Sequence, residues 1–276
     1  MIYLIIVSIL WSFSFGIIKY GLSGVDSSYI SFIRSLIALL FFSSISIYNI
    51  RKFAFDLKLI LIGALQFGLM YIFYIQSYAY LPAYLIATFT ITTPIFVGLA
   101  SKYIAHQSIS KNGIYAISLV IIGSFLMRIN FVNPFDYWVG FLLIQCANLF
   151  FASGQILFKE WKIKNGGTDI LHNFSQMFLG ATLVTSLFYL FSMSGSNQLS
   201  SENLFALIFL GLISTGLGFL LWNLGSLKVT NDKLAVMNNL IIPIAILNSY
   251  FIFGEQIDSS TFVPGMICFY FALKAL

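Results

Sequence analysis

Gln145, Asn148, Ala152, Gln155 and Lys159 follow one another at intervals of three and four in an otherwise apolar stretch of the chain. That spacing puts four long polar side chains along one stripe of a helix. Two kinds of chemistry use such a stripe: its members line a water-filled path, or they hydrogen-bond to neighbouring helices, for which one or two residues suffice. The number present favours the path.

Arg34 is the second chemical signal, a cation within an apolar segment that has no acidic residue at comparable depth in any other segment. A guanidinium in that position either holds an anionic group with two parallel bonds or snorkels to the headgroups as an anchor. No Asp or Glu falls at the centre of an apolar segment, which argues against a carboxylate proton relay or a carboxylate-ligated sodium site. Thr88, Thr92 and Thr93 precede Pro94, and Asn238 and Asn239 precede Pro243. Proline frees a backbone carbonyl one turn earlier. Such carbonyls and side chains either contact a substrate or form a kink whose threonines bond their own backbone. Gln66 and Tyr74, with Met70 and Ser77, and Trp222, with Ser214, Thr215 and Asn223, complete the polar inventory. The candidate binding residues are therefore Arg34, Gln66, Tyr74, Thr92, Gln145, Asn148, Gln155, Trp222, Asn238 and Asn239.

Other chemistry finds no footing. The chain has two histidines, His106 and His172, both expected in loops, and two cysteines, Cys146 and Cys268, inside apolar segments without a spacing partner. Neither a metal centre, a catalytic triad nor a redox pair can be assembled from them. The glycines at 211, 216 and 218 lack the GK[ST] of a phosphate-binding loop and read as close helix packing. No catalytic residue, metal or cofactor is expected. Asn173-Phe174-Ser175 matches a glycosylation acceptor by accident on the expected cytoplasmic side.

The elements that position these residues follow from composition. Of 276 residues, 59% are hydrophobic, 18% aromatic and 8% charged, and the mean hydropathy is +0.95. Those values belong to a chain dissolved in lipid. Apolar runs give ten expected helices, at 2–21, 28–48, 57–77, 83–103, 112–129, 137–159, 170–193, 203–225, 233–253 and 260–275, with no room for a soluble domain. A β-barrel is excluded by the absence of alternation. The first run begins at Ile2 with no Lys or Arg before Lys19, so it reads as a retained helix and not a signal peptide. The net charge of +5 does not imply nucleic acid, because the basic residues stand singly at helix ends.

Their placement sets orientation. With both termini cytoplasmic, Arg51, Lys52, Lys58, Lys102, Lys111, Lys159, Lys162, Lys164, Lys228, Lys233 and Lys274 face inward, and only Lys19 and Arg128 face outward. Asp26, Asp136, Glu202, Glu255 and Asp258 then lie outside. An internal repeat accompanies this: Gly63 and Gly68 recur 148 residues later as Gly211 and Gly216, and Pro94 and Ala105-His106 recur 149 later as Pro243 and Gly254-Glu255. The expected architecture is an all-α membrane protein of ten transmembrane helices in two inverted five-helix repeats, 1–130 and 137–276. Five is odd, so the second repeat enters with opposite polarity, a design of many secondary transporters that bind substrate at the midplane between repeats.

Several stretches carry a resemblance. "ILWSFSF" at 9–15, "FIRSLIALL" at 32–40, the prolines 94 and 243 and "FGE" at 253–255 resemble the EamA family of the drug/metabolite transporter superfamily over essentially the whole chain. Where family repeats end the fourth helix in Gly-Glu, this chain has Ala105-His106. Within the family, "GALQFGLMYIFYIQSYAYL" at 63–81, "LLIQCANLFFASG" at 142–154 and "WNLGSLKVTNDKLAVMNN" at 222–239 are similar to bacterial biotin importers. The resemblance implies a secondary transporter of the inner membrane, with the bilayer and a small molecule as partners, acting as monomer or homodimer. It implies biotin as cargo, its carboxylate at Arg34 and its ureido ring at Asn148, Asn238, Asn239 or Gln66. An amino-acid, amine or drug exporter of the same superfamily is the alternative, although Arg34 without a carboxylate opposes a cationic cargo. A membrane enzyme acting on lipid-linked substrates is a further reading, and it lacks the acid, base or metal cluster it needs.

Overall fold

The structure, a computed structural model, describes residues 1–46, 55–127, 137–192, 199–253 and 258–276. Arg51, Lys52, Arg128, Asp136, Gly254 and Glu255, used above for orientation and repeat, lie outside the described residues. Among those described, every regular element is helical, in ten rods: α1 (Ile2–Gly21), α2 (Ser27–Ser46), α3 (Leu57–Ala79), α4 (83–103), α5 (Lys111–Met127), α6 (Trp138–Lys164), α7 (Ile170–Ser192), α8 (Ser201–Ser226), α9 (231–253) and α10 (Ser259–Lys274). Seven of these, α1 to α4 and α6 to α8, are long and apolar enough to cross a bilayer by length and composition alone. Helix starts are marked by polar caps that satisfy amides otherwise left without partners: Asp56 accepts from Lys58 N, Ser200 forms a capping box with Asn203, and Thr230 accepts from Lys233 N. Large apolar side chains such as Phe191, Phe205 and Phe251 stand exposed on the outside of the bundle. In lipid that surface is solvated.

The expected boundaries agree with the rods to within a few residues, except that α6 continues past 159 to Lys164. Phe158 and Trp161 keep that extra turn packed in the core while Lys162 and Lys164 face outward. His172, expected in a loop, stands in the first turn of α7 with its ring bonded to Gln176. Asn173 is buried in the same helix and donates to Thr168, which leaves the sequon inaccessible.

Four irregularities interrupt the rods, and they come in two pairs. A π-helical segment occupies Ala64–Leu69 in α3, and another occupies Leu210–Leu217 in α8. The second contains both Gly211 and Gly216, and the first starts directly after Gly63 and contains Gly68, the pair that recurs at an interval of 148 residues. The second pair is a break: α4 passes through a tight turn at Thr90–Thr92, and α9 is interrupted between Asn238 and Ile241. Pro94 and Pro243 follow these breaks, as a residue without an N–H dictates. The sequence repeat is thus a repeat of helix defects, a kind of feature often found at functional sites.

Helices α3 and α7 cross backbone to backbone. A Cβ on Gly63 would lie 1.9 Å from the Met177 carbonyl oxygen, and one on Gly180 would lie 1.9 Å from that of Ile60. With no hydrophobic drive between helices in lipid, such close dispersion contact is what holds them. Around the bundle centre, α1, α2, α3, α4, α6, α8 and α9 line one cavity, whereas α5, α7 and α10 contribute no lining residue.

Candidate functional site

The cavity spans about 780 Å³ of space between atoms, a figure that includes space open to the surroundings. One wall is aromatic. Trp11 sits 5.0 Å from Phe219 and 5.1 Å from Trp222, centroid to centroid, and 5.7 Å from Phe151. The indole N–H groups turn away from the space: Trp11 Nε1 donates to Ser214 O at 2.9 Å and Trp222 Nε1 to Gln155 Oε1 at 2.8 Å. The four rings pack on one another and line the cavity, an aromatic wall suited to an apolar body.

Arg34 is the only charged residue among the described residues that line the cavity. It is 2% exposed, so it does not snorkel. Its Nε donates to Thr215 Oγ1 at 3.2 Å and its Nη2 to Tyr71 Oη at 3.0 Å, and its Cζ lies 4.4 Å from the Tyr71 ring centroid. Tyr71 and Thr215 are bonded to each other at 2.7 Å, which fixes the guanidinium in a frame built from α3 and α8. Nη1 has no partner. A buried donor group left unpaired is costly, the more so on a charged group.

The opposite chemistry gathers at the α4 break. Asn148 Nδ2 donates to both Phe89 O and Thr92 Oγ1 at 3.1 Å, Gln145 Nε2 donates to Phe89 O at 3.2 Å, and Asn239 Nδ2 donates to Ile91 O at 2.9 Å. Thr93 Oγ1 donates to Thr90 O at 2.7 Å, the carbonyl that Pro94 leaves without its helical donor. Carbonyls freed by the break are therefore capped by amides from α6 and α9. At another end of the bundle, Lys159 Nζ donates to Val229 O at 2.6 Å and Asn231 Oδ1 at 2.8 Å, and Asn231 reaches on to Ser101 and Gln107.

Of the ten candidate residues, Arg34, Tyr74, Asn148, Trp222 and Asn238 line the cavity. Gln66, Thr92, Gln145, Gln155 and Asn239 do not. Each of these five is engaged with a neighbouring helix instead, Gln66 through a 3.2 Å bond to Asn223 Oδ1. The α6 stripe is thus no continuous aqueous path: only Asn148 reaches the cavity, while Gln145, Gln155 and Lys159 tie α6 to α4, α8 and the α8–α9 connection. The stripe's spacing was a sound guide to a common face, but helices meet that face over most of its length.

Tyr71, Trp11, Phe219, Thr90 and the serines 8 and 14 line the cavity without having been singled out in the sequence. Met70, Tyr71 and Tyr74 share one α-helical face after the π segment at Ala64–Leu69, so Tyr71 accompanies its neighbours into the cavity wall, whereas Gln66, within that segment, does not reach it. Trp11 and Phe219 were lost among an aromatic content of 18%.

The chain is 32% identical over 271 residues to the "Biotin transporter" of Salmonella typhimurium, covering 95% of this chain and 88% of that protein. It is 30% identical over 272 residues to the "Biotin transporter" of Escherichia coli, covering 96% and 88%, and 31% identical over 260 residues to the "Probable biotin transporter" of Pseudomonas aeruginosa, covering 93% and 90%. A solved crystal structure superposes with a TM-score of 0.77 at 12% identity, over 99% of this chain and 95% of the other, which establishes the fold alone. The family model of the EamA-like transporters matches twice, at residues 1–129 and 138–273. The chain belongs to the EamA-like transporter family, a multi-pass membrane protein of ten transmembrane helices and not an enzyme.

Proposed function

We propose that the protein imports biotin, or a carboxylate of closely similar shape, across the inner membrane as a secondary transporter. In this reading both termini are cytoplasmic and residues 1–130 and 137–276 act as two halves around the cavity. The observation that carries it is Arg34: a buried guanidinium in the cavity wall, two nitrogens held by the protein, the third without a partner. A carboxylate completes that frame. The relatives named as biotin transporters support the same cargo, and the aromatic wall suits a fused, largely apolar ring system with a short aliphatic chain. Tyr74, Asn148, Trp222 and Asn238 join Arg34 as the proposed contacts.

Export of an amine is the second reading, drawn from the faces of Trp11, Phe219 and Trp222, which attract cations. The positive charge in the same wall opposes it.

Uptake of radiolabelled biotin into vesicles holding the purified protein tests the proposal. Arg34→Gln is expected to lower uptake by about tenfold or more, the effect of losing a hydrogen bond to a charged group worth about 1.5–3 kcal/mol, while the protein still inserts and remains monodisperse. Arg34→Lys restores part of it, because an ammonium keeps the charge and loses the planar fork. Wild-type uptake of an amine in place of biotin, or full biotin uptake by Arg34→Gln, overturns the reading.

A further inference from the structure

The polar groups around the α4 break have spent their hydrogens on the protein. Asn148, which lines the cavity, makes two bonds through Nδ2, to Phe89 O and Thr92 Oγ1, so both its hydrogens are used and Oδ1 is left as an acceptor. Asn238 Nδ2 donates to Leu234 O at 2.7 Å, which leaves Oδ1 and one hydrogen. Both amide orientations are fixed chemically, since Phe89 O and Leu234 O are carbonyl oxygens and can only accept. Thr90 Oγ1 donates to Ala87 O and Thr93 Oγ1 to Thr90 O, both at 2.7 Å, so these hydroxyls also present lone pairs. All four residues line the cavity. Among the described residues neither Asn148 Oδ1 nor Asn238 Oδ1 has a protein partner, and both residues are more than nine-tenths buried.

The cavity wall therefore carries two kinds of polar group. Arg34, from α2, supplies donors; the face made by α4, α6 and α9 supplies chiefly acceptors. We propose that Asn148 and Asn238, with the hydroxyls of Thr90 and Thr93, form a subsite that selects cargo bearing N–H donors on the part of the molecule remote from its carboxylate. This rests on the reading that the carboxylate meets Arg34. Of a cyclic urea, it is the N–H groups that this face recognises first, with the remaining amide hydrogen of Asn238 free for the urea oxygen. A substrate that places only acceptors there sets lone pair against lone pair and leaves buried oxygens without partners.

The test is a comparison of ligands on the purified full-length protein, read both as competition against radiolabelled biotin uptake and as thermal stabilisation in detergent. The ligands are biotin, its cyclic carbamate analogue with a ring oxygen in place of one N–H, its thiourea analogue, which keeps both N–H groups, and its carboxamide. The carbamate, equal to biotin in shape, is expected to bind at least about tenfold more weakly. The thiourea is expected to lose much less. In Asn238→Ala the preference for biotin over the carbamate shrinks toward unity, while the preference for biotin over the carboxamide is kept. If carbamate and biotin bind wild type equally and the carboxamide does not, the accepting subsite is wrong and the role of Arg34 stands. If the carboxamide binds like biotin and the carbamate does not, Arg34 fails as the carboxylate partner and the subsite stands. Absence of stabilisation by every ligand overturns both, and the wild-type comparison decides the matter even if Asn238→Ala does not fold.

Discussion

The two π-helical segments share a position in the internal repeat and do different work. The one in α3 and the glycine just before it face α7: Gly63 touches the Met177 backbone and Gly68 the Ala181 backbone, which lets two helices meet without side chains between them. The one in α8 holds residues of the cavity wall from behind: Ser214 accepts from Trp11 through its carbonyl and bonds Ser14 through its hydroxyl, and Thr215 holds Arg34. The breaks diverge in the same way. In α4 the freed carbonyls of Phe89 and Ile91 are capped by side chains from other helices, whereas in α9 the chain closes on itself, with Asn239 N donating to Val236 O, Leu240 N to Met237 O and Ile242 N to Asn239 O. One backbone deformation, used twice, has become a packing device in one half and a site-building device in the other.

The largest expected effect comes from adding one methyl group at equivalent glycines. Gly63→Ala forces a Cβ into the Met177 carbonyl, which only a backbone shift relieves, so it is expected to cost at least about 3 kcal/mol and to abolish monodisperse protein. At the repeat-related Gly211 the new atom meets the Ile37 side chain at 2.8 Å, which can partly yield, and at Gly216 the nearest atom is 3.4 Å away. Size-exclusion profiles and thermal midpoints in detergent should therefore rank Gly216→Ala near wild type, Gly211→Ala below it and Gly63→Ala lowest. Equal tolerance at 63 and 211 would dissolve the contrast between the two segments.

A smaller effect separates the breaks. Asn148→Leu removes one donor from Phe89 O and one from Thr92 Oγ1, both of which keep Gln145 as a partner, so it is expected to cost about 1–3 kcal/mol. Asn238→Leu removes a bond to a carbonyl within its own helix and is expected to cost about 0.6 kcal/mol, the average for side-chain bonds in membrane helices. Unfolding midpoints of the two variants check the difference. A larger loss in Asn238→Leu would mean that the α9 break, too, depends on side chains.

The sequence made the rods, their number and the repeat legible because lipid demands long apolar runs and because glycine and proline mark helix defects wherever they stand. Arg34 was legible for the same reason, a cation where few survive. What the defects do to facing was not legible. A proline announces a break but not which helix caps the freed carbonyls, so Thr92, Gln145 and Asn239 read as substrate contacts when their partners are one another and Phe89 and Ile91. A glycine pair announces a close approach but not the π turn that accompanies it, and Gln66, inside that turn, lies outside the cavity while Met70, Tyr71 and Tyr74 after it line the wall.

Gln66 gives the smallest predicted effect and the finest test of this account. It lies inside the α3 π segment, is fully buried, and its Nε2 bridges to Asn223 beyond the α8 π segment, while its own Oε1 has no partner. The bridge therefore brings one bond and one unpaired acceptor into the same buried place. Gln66→Met removes both and strands Asn223 Oδ1, so the single substitution is expected to cost only about 1 kcal/mol. Adding Asn223→Leu takes away the stranded partner, although Asn223 Nδ2 also donates to Phe219 O. Replacement of both partners by apolar groups of similar shape is nearly neutral in general, so the double variant should recover at least part of the loss. Because Gln66 does not line the cavity, biotin uptake at saturating concentration and its half-saturation point should stay within about twofold of wild type. A Gln66→Met protein of unchanged thermal midpoint that has lost biotin affinity would place Gln66 in contact with cargo. The α3 π segment would then be a binding element like its counterpart in α8, and the division of labour between the two halves would be wrong.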